Sequence, residues 1–466
     1  MSRRKTVVAA VALALAVIIP AGDLTANQVA VAAPTGTPVP AGTPAPDEPG
    51  TDREPARLNA GGPDQHSPSR EEAIEDLLRQ VPKGDDLYHL HRDRKYKVST
   101  HPSEYDEQSG TFQAPADDVG YEECEENTEV EQFWFKNRFN LCMTQEVEVA
   151  HYQLPNPVPV GHSYFEATVI ATSVPGAQDI RFGIRLRHLR DIGTTVPAVM
   201  GITLDCFNAD PSRTSTCAAE ADEPALAVGY PFSAWQGVLS GLPFGFTTRT
   251  TTTAVPGTDK YAAELRGYFS YLFQIRIASQ GLPPNSTALR HEFWRCDSAQ
   301  YVYNTNGRCV FHHAIPSIQM SATSTTMGKS ASFIRDAQNG GPNVAPILSG
   351  KKVPGRFGES ELHRLYKAYD TNKKIPASRR KIKRTCRDYF ASNYTRGPGG
   401  IKMECDEYPF ATTYENAALV DPQSVWNYAV RPVPRTDNGA AGNYYGEWLS
   451  RDRILDGDPF YVIITP

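Results

Sequence analysis

The sequence of 466 residues lacks the short motifs that mark several large enzyme classes. It contains no Gly-x-Ser-x-Gly, no His-Glu-x-x-His and no P-loop pattern. The sequence motifs that usually indicate a serine hydrolase, a zinc peptidase or a P-loop NTPase are therefore absent. It has no Cys-x-x-Cys pair, which argues against a structural zinc site. Beyond residues 7–19 it has no apolar run that approaches the ~20 residues of a membrane span.

The first residues have the pattern of a secretory signal. Arg3, Arg4 and Lys5 precede a short apolar run, and small residues ending in Ala32-Ala33 follow it. A basic segment, a short apolar segment and a small-residue cleavage site are typical of an exported chain. The pattern therefore predicts a signal peptide at residues 1–32 and a secreted mature protein that does not contact the membrane after cleavage.

The eight cysteines all follow the predicted signal. An even number in an exported protein favours four disulfides, although many connectivities are open. The cysteines fall into four pairs of neighbours along the chain, so we expect neighbour pairing. The expected disulfides are Cys124–Cys142, Cys206–Cys217, Cys296–Cys309 and Cys386–Cys405.

Composition and periodicity divide the rest of the chain. Around Ile180, Phe182 and Ile184, apolar and polar side chains alternate with a period of two, as in a strand with one buried face. Helical spacing and short strand patterns follow in the last third. The predicted segments are a Pro-rich disordered linker at 33–68, a helical or irregular acidic connector at 69–119, an all-β sandwich-like domain of unknown role at 120–325, and a small α+β domain at 338–466.

Charge is unevenly distributed in this last domain. Between Lys351 and Glu404 there are fifteen basic and five acidic residues. The spacing of apolar residues predicts a helix over 358–370 and a second helix around Pro376. Because the like charges on the second helix repel one another, we interpret it as a surface for a polyanion such as DNA; a merely solvated face is the alternative. The candidate DNA contacts are Arg379, Arg380, Lys383, Arg384 and Arg387.

Adjacent carboxylates follow this basic stretch. Asp406 and Glu407 stand near the end of a predicted strand, and Pro409 stops the strand. An Asn- and Gly-rich segment beginning at Asn438 leads into a helix that carries Glu447. Carboxylate and amide oxygens are ligands that suit Mg²⁺ or Mn²⁺, and a carboxylate can also take a proton from water. A solvated acidic turn is the simpler alternative.

Three sequence segments resemble the NucA/NucB family of secreted bacterial deoxyribonucleases. They are Cys405-Asp406-Glu407-Tyr408-Pro409-Phe410-Ala411, Asn438-x-x-x-Gly442-x-x-x-Gly446 and Asp456-Gly457-Asp458-Pro459-Phe460. The resemblance covers about the last 110 to 130 residues and implies a small nuclease domain related to the ββα-metal type.

The resemblance also implies roles for individual residues. Asp406 corresponds to the general base, and Glu447 to a metal-ligating glutamate on the helix. Glu407 and Asn438 correspond to positions that hold or support a metal, and Glu415 is the alternative ligand. The implied cofactor is Mg²⁺ or Mn²⁺, and the implied partner is DNA, held by its phosphate backbone.

Two alternatives remain open at this stage. The first is a non-enzymatic secreted binding protein, in which the β domain recognises an unknown ligand and a degenerate C-terminal module binds polyanions. The second is a nuclease toxin, which shares the chemistry but differs in biological purpose.

Overall fold

The computed structural model describes residues 119–466 apart from short internal stretches, together with four short strands before residue 119. The internal stretches left out are 154–157, 195–196, 211–212, 254–259, 280–284, 304–306, 342–343 and 419–426. The predicted signal peptide lies outside the described residues, as do nearly all of the predicted linker and connector. Within the described part of the chain, no helix is long and apolar enough to cross a membrane.

The N-terminal region is rich in strands, as the alternating pattern predicted. Its helices are α1 (Tyr121–Asn127), α2 (Ala225–Val228) and α3 (Phe232–Gln236). Its strands are β1 (Ala56–Leu58), β2 (Tyr96–Val98), β3 (Tyr105–Asp106), β4 (Thr111–Phe112), β5 (Phe133–Asn137), β6 (Asn140–Gln153), β7 (Val158–Ser173), β8 (Asp179–Gly193), β9 (Ala198–Asn208), β10 (Thr216–Ala221), β11 (Tyr230–Pro231), β12 (Pro243–Thr251), β13 (Gly267–Ser279), β14 (Asn285–Ala288), β15 (Phe293–Cys296) and β16 (Cys309–Val310).

Two sheets share one core in this region. One sheet has the strand order β10-β12-β8-β7-β6-β5-β2, with β1 also paired to β6; the other has the order β11-β9-β13-β15-β16, with β14 also paired to β13. Phe182 from the first sheet contacts Tyr271 and Trp294 from the second, with ring centroids 4.7 and 5.9 Å apart. The buried faces of both sheets therefore form a single apolar layer, as in a sandwich.

In the described residues, the C-terminal region has three longer helices and five short strands. The helices are α4 (Gly328–Gln338), α5 (Lys374–Phe390) and α6 (Arg435–Arg451). The strands are β17 (Ser317–Ser321), β18 (Leu362–His363), β19 (Met403–Tyr408), β20 (Ala429–Pro434) and β21 (Pro459–Thr465). Strands β19 and β20 form a two-stranded antiparallel sheet, and β21 lies between β17 and β18 in a separate three-stranded sheet.

This region begins earlier than the sequence indicated. Strand β17 pairs in parallel with β21, and α4 packs against α6. Ile318 and Phe333 belong to the same buried cluster as Trp448 and Phe460. Residues 317–338 thus pack with the C-terminal module, whose start the sequence places at 338. The predicted helix over 358–370 is absent as well: β18 and the 3₁₀ turn Lys367–Tyr369 occupy that stretch.

All four expected disulfides are present. Cys124–Cys142 fastens α1 to β6, Cys206–Cys217 joins β9 of one sheet to β10 of the other, and Cys296–Cys309 links β15 and β16. Cys386–Cys405 connects α5 to β19 in the C-terminal region. Three disulfides therefore stabilise the sandwich, and one fixes a helix to a strand of the second module.

Buried ion pairs join the two regions. The Asp458 carboxylate, next to the start of β21, lies 3.0 Å from Arg138 Nη2 and 2.6 Å from Arg295 Nη1, both in the sandwich. In a second ion pair the charges are reversed: Arg453 of the C-terminal region donates to Asp297 of the sandwich at 2.6 Å. Burial alone would raise the pKa of Asp458, but Arg295 and Arg138 hold it well below its usual range.

We expect Asp458→Asn to destabilise the full chain by about 3–5 kcal/mol, because it leaves two buried guanidinium groups without their shared anion. The folded-state pKa of Asp458 lies below its unfolded value, so its contribution is present above about pH 4 and declines as the pH falls further. Denaturant unfolding of wild type and variant at pH 7 and at pH 3 measures both effects. Asp388→Asn, on the exposed face of α5, is the control; equal stability of all three proteins would contradict the prediction.

Candidate active site

A cleft of about 890 Å³ lies between α5, β19 and α6. Carboxylates from β19 and basic side chains from α5, the two groups that the sequence analysis identified, both contribute to this cleft. The residues that line the cleft are Ile334, Arg364, Leu365, Tyr366, Lys367, Arg379, Ile382, Lys383, Tyr394, Thr395, Met403, Glu404, Cys405, Asp406, Glu407, Phe410, Ala411, Thr412, Asn438, Ala441, Gly442, Tyr445, Gly446 and Leu449.

Asp406 lies in β19 at the cleft and is 9% exposed. Its Oδ1 accepts a hydrogen bond from the backbone N–H of Glu407 at 2.9 Å. Its Oδ2 is buried and has no hydrogen bond of normal geometry among the described residues, although the Ser330 hydroxyl is close enough to favour the ionised form. Burial has a larger effect than Ser330 and raises the pKa of Asp406 to about 6.

Glu407 also lines the cleft, but its electrostatic neighbours differ. Burial, together with the adjacent Asp406, raises the pKa of Glu407 to about 8, while Arg379 and Lys383 act in the opposite direction. Successive residues of a strand point to opposite faces of its sheet. Asp406 is accordingly influenced by Ser330 of α4, and Glu407 by the cations of α5.

A third carboxylate, Glu404, was not among the residues proposed from the sequence. It precedes Asp406 by two positions in β19 and therefore shares its face of the strand. Asn438, in the first turn of α6, donates its Nδ2 to Glu404 Oε2 at 3.2 Å, and Arg435 Nε lies 3.2 Å from Glu404 Oε1. The period of two along β19 is the sequence signal that could have identified Glu404.

Glu447 does not line the cleft, contrary to the expectation that it faces Asp406. The cleft face of α6 runs from Asn438 through Gly442 and Gly446, one helical turn apart. Glu447 follows Asn438 by nine positions, about two and a half turns at 3.6 residues per turn, and so points away. Its Oε2 instead accepts a hydrogen bond from the Tyr303 hydroxyl at 3.1 Å.

The alternative ligand Glu415 is also placed elsewhere. Its carboxylate accepts from the backbone N–H of His363 at 2.9 Å and lies 2.8 Å from Nδ1 of the same residue. Glu415 does not line the cleft. Of the proposed carboxylates, the structure thus brings together Asp406 and Glu407, with Asn438 on the facing helix.

Local sequence explains how α5 presents its cations. The Asp370 carboxylate accepts the first backbone N–H groups of the helix, from Lys374 at 2.6 Å and Ile375 at 2.9 Å. The apolar side chains Ile375 and Ile382 are buried, which turns the basic side chains outward.

The five candidate DNA contacts divide into two groups on this helix. Arg379 and Lys383, one turn apart, line the cleft. Arg380, Arg384 and Arg387 are exposed on the adjoining faces of α5 and do not line it. None of the five forms an ion pair with another residue that the structure describes, so the positive charge of the helix is available to an external anion.

A small α+β module thus holds paired carboxylates in a cleft beside an uncompensated basic helix. Residues 358–463 of this module match the family model described as Deoxyribonuclease NucA/NucB. The C-terminal region accordingly contains a NucA/NucB deoxyribonuclease domain, as the sequence resemblance predicted. No curated protein and no solved structure matches the chain.

The Cys386–Cys405 disulfide fixes α5 to the strand that carries Asp406. Its sequence separation of 19 residues predicts that replacing both cysteines by serine costs about 3 kcal/mol. We also expect faster amide hydrogen exchange in α5 and β19. The matched control removes Cys124–Cys142, whose separation is 18 residues, and should leave exchange in these two elements unchanged. Unchanged exchange in both variants would contradict this positioning role.

Proposed function

We propose that the protein is a secreted, metal-dependent and sequence-nonspecific endodeoxyribonuclease that hydrolyses phosphodiester bonds of DNA. The observation that carries this proposal is the position of Asp406 in a cleft that Arg379 and Lys383 also line, with an Oδ2 atom that has no hydrogen bond of normal geometry among the described residues. The match of residues 358–463 to the NucA/NucB model supports the same conclusion.

Asp406 acts as the general base in this proposal. A pKa of about 6 leaves its carboxylate mostly ionised at neutral pH, yet more basic than an ordinary aspartate. Its Oδ2 can accept the proton of a water molecule because it has no established hydrogen bond among the described residues. Glu407, with a pKa of about 8, is largely neutral at the same pH and supports the site.

The oxygens around Asp406 suit a hard divalent cation. Glu404 and Asn438 stand on facing elements, and the buried Asp406 oxygen lies on the same strand face as Glu404. Among the described residues there is no group of three or more His, Cys, Asp or Glu arranged to hold a metal. Carboxylate and amide oxygens suit Mg²⁺ or Mn²⁺, and Mg²⁺ is commonly held by one or two carboxylates, with water and phosphate as its other ligands.

We assign Glu404 and Asn438 to hold this ion, with Glu407 nearby; Glu447 does not line the cleft. When bound, the ion supplies electrostatic stabilisation of the charge that develops on the phosphodiester. Arg379 and Lys383 bind the phosphates on the other side of the cleft. Such contacts fix the position of the DNA strand without contacting its bases, so cleavage is independent of the DNA sequence.

Asp406→Asn should lower the rate of DNA cleavage by at least about 100-fold, because the general base is lost while the side chain keeps its size. For the wild type, kcat/KM should fall as the pH drops below about 6, where Asp406 becomes protonated. Conversion of supercoiled plasmid in Mg²⁺ or Mn²⁺, with and without EDTA, measures the rate. Glu447→Gln is the matched control and should remain close to wild type. Cleavage that survives in Asp406→Asn, or in EDTA, would refute this mechanism.

DNA affinity should fall steeply with salt, because each neutralised phosphate releases condensed counterions. Replacing Lys383 by alanine should reduce the slope of log K against log salt by about 1 and weaken binding to all sequences equally. Fluorescence anisotropy of a labelled duplex, measured with the Asp406→Asn protein so that cleavage is slow, gives this slope. A flat salt dependence would exclude α5 as the contact surface.

A further inference from the structure

A short glycine-rich loop projects beside the cleft and carries an exposed apolar side chain. This 395–402 loop lies between α5 and β19 and has the sequence Thr-Arg-Gly-Pro-Gly-Gly-Ile-Lys. Ile401 near its end is 52% exposed. The two side chains that flank the projecting part, Arg396 and Lys402, are exposed as well and form no ion pair with any residue that the structure describes.

The loop is held in a defined shape. Arg396 and Lys402 face each other as an antiparallel bridge, and the Gly397 N–H donates to the Ile401 carbonyl at 2.8 Å. Gly399 and Gly400 both have positive φ, +67° and +79°, which L side chains rarely adopt. The Arg435 N–H donates to the Lys402 carbonyl at 2.9 Å and so ties the loop to the start of α6.

The base of the loop is part of the cleft wall. Thr395 and Met403, at its two ends, line the cleft together with Asp406, and the Met403 N–H donates to the Thr395 carbonyl at 3.0 Å. The exposed cations of the loop therefore continue the positive wall that Arg379 and Lys383 begin on α5. A polyanion bound along the cleft therefore lies next to the loop that carries Ile401.

We propose that the 395–402 loop enters the minor groove of double-stranded DNA and inserts Ile401 as a wedge against the base pairs. The inference rests on the nuclease function proposed above and names its substrate, duplex DNA. The minor groove is ~6 Å wide, and proteins that bind there commonly insert apolar side chains such as isoleucine at a base step and bend the duplex. Arg396 and Lys402 contact the phosphates on either side of the groove.

Insertion has a consequence for the chemistry. Asp406 is largely buried, and the phosphates of a straight duplex lie on a convex surface. A wedge that locally unstacks and bends the duplex changes the path of the backbone and lets one phosphate descend into the cleft. A single strand is flexible and can enter without this help, so the wedge should matter for duplex substrates and not for single strands.

The first experiment compares cleavage of a duplex with cleavage of the single strand of the same sequence. Ile401→Ala should lower duplex kcat/KM by about tenfold and change the single-strand value less than about twofold. Val238→Ala, an equally apolar and 79% exposed side chain on the sandwich, is the control and should change neither. Thermal unfolding midpoints verify that the variants are folded.

The second experiment does not depend on cleavage. With the Asp406→Asn protein, a duplex that carries 2-aminopurine should become more fluorescent on binding, because the probe is unstacked, and Ile401→Ala in the same background should remove this increase. The double variant Arg396→Gln/Lys402→Gln should lower the salt slope of duplex binding by about 2.

The outcomes of these experiments test the wedge and the nuclease function separately. Equal cleavage of the duplex by wild type and Ile401→Ala, or equal loss on single strands and duplexes, overturns the wedge while the nuclease stands. If the wild type cleaves neither substrate, the nuclease function fails, and the 2-aminopurine signal still decides whether the loop inserts into the duplex. An unchanged signal in Ile401→Ala overturns the inference.

Discussion

The arrangement of this protein depends on the ion pairs that the fully buried Asp458 carboxylate forms. An isolated carboxylate would be protonated in such surroundings, but two guanidinium groups from the sandwich keep it charged. Arg138 also donates to the carbonyls of Asp452 and Arg453 at 3.1 Å, so it neutralises the anion and satisfies backbone acceptors just after α6. These bonds cross from the sandwich to the nuclease domain, and the charge pairing that they provide would be lost if the two regions separated.

The contacts between the sandwich and the nuclease domain extend to the edge of the cleft. Asp456, two residues before Asp458, accepts the backbone N–H of Tyr366 at 2.7 Å and also pairs with Lys260 of the sandwich at 2.8 Å. Tyr366 lines the cleft and stacks on Tyr301 of the sandwich with ring centroids 3.7 Å apart. The β domain therefore has a structural role, because it supports one wall of the cleft.

Several features followed from local sequence, and the failures have physical causes. Alternation around Phe182 identified a buried strand face, and neighbouring cysteines paired because each pair lies on adjacent elements. Glu447 was misplaced because the resemblance fixed a residue type but not its helical phase; counting turns from Asn438 would have corrected it. The Leu362 spacing indicated a helix, but pairing of that residue with β21 overrides it. Ser330 could not be found, since it lies before the family match and meets Asp406 only through tertiary packing.

The adjacent carboxylates of β19 illustrate how burial can serve a site that must receive an anion. Two ionised groups at the floor of the cleft would repel a phosphate, and ordinary pKa values would produce that state at neutral pH. Burial raises both pKa values, to about 6 for Asp406 and about 8 for Glu407, so near pH 7 one carboxyl is charged and the other is neutral. The alternation of the strand separates them further, since Glu407 is influenced by Arg379 and Lys383, whereas Asp406 is influenced by Ser330 and Arg431. Neutralising either cation should therefore raise the pKa of Glu407 and change that of Asp406 much less.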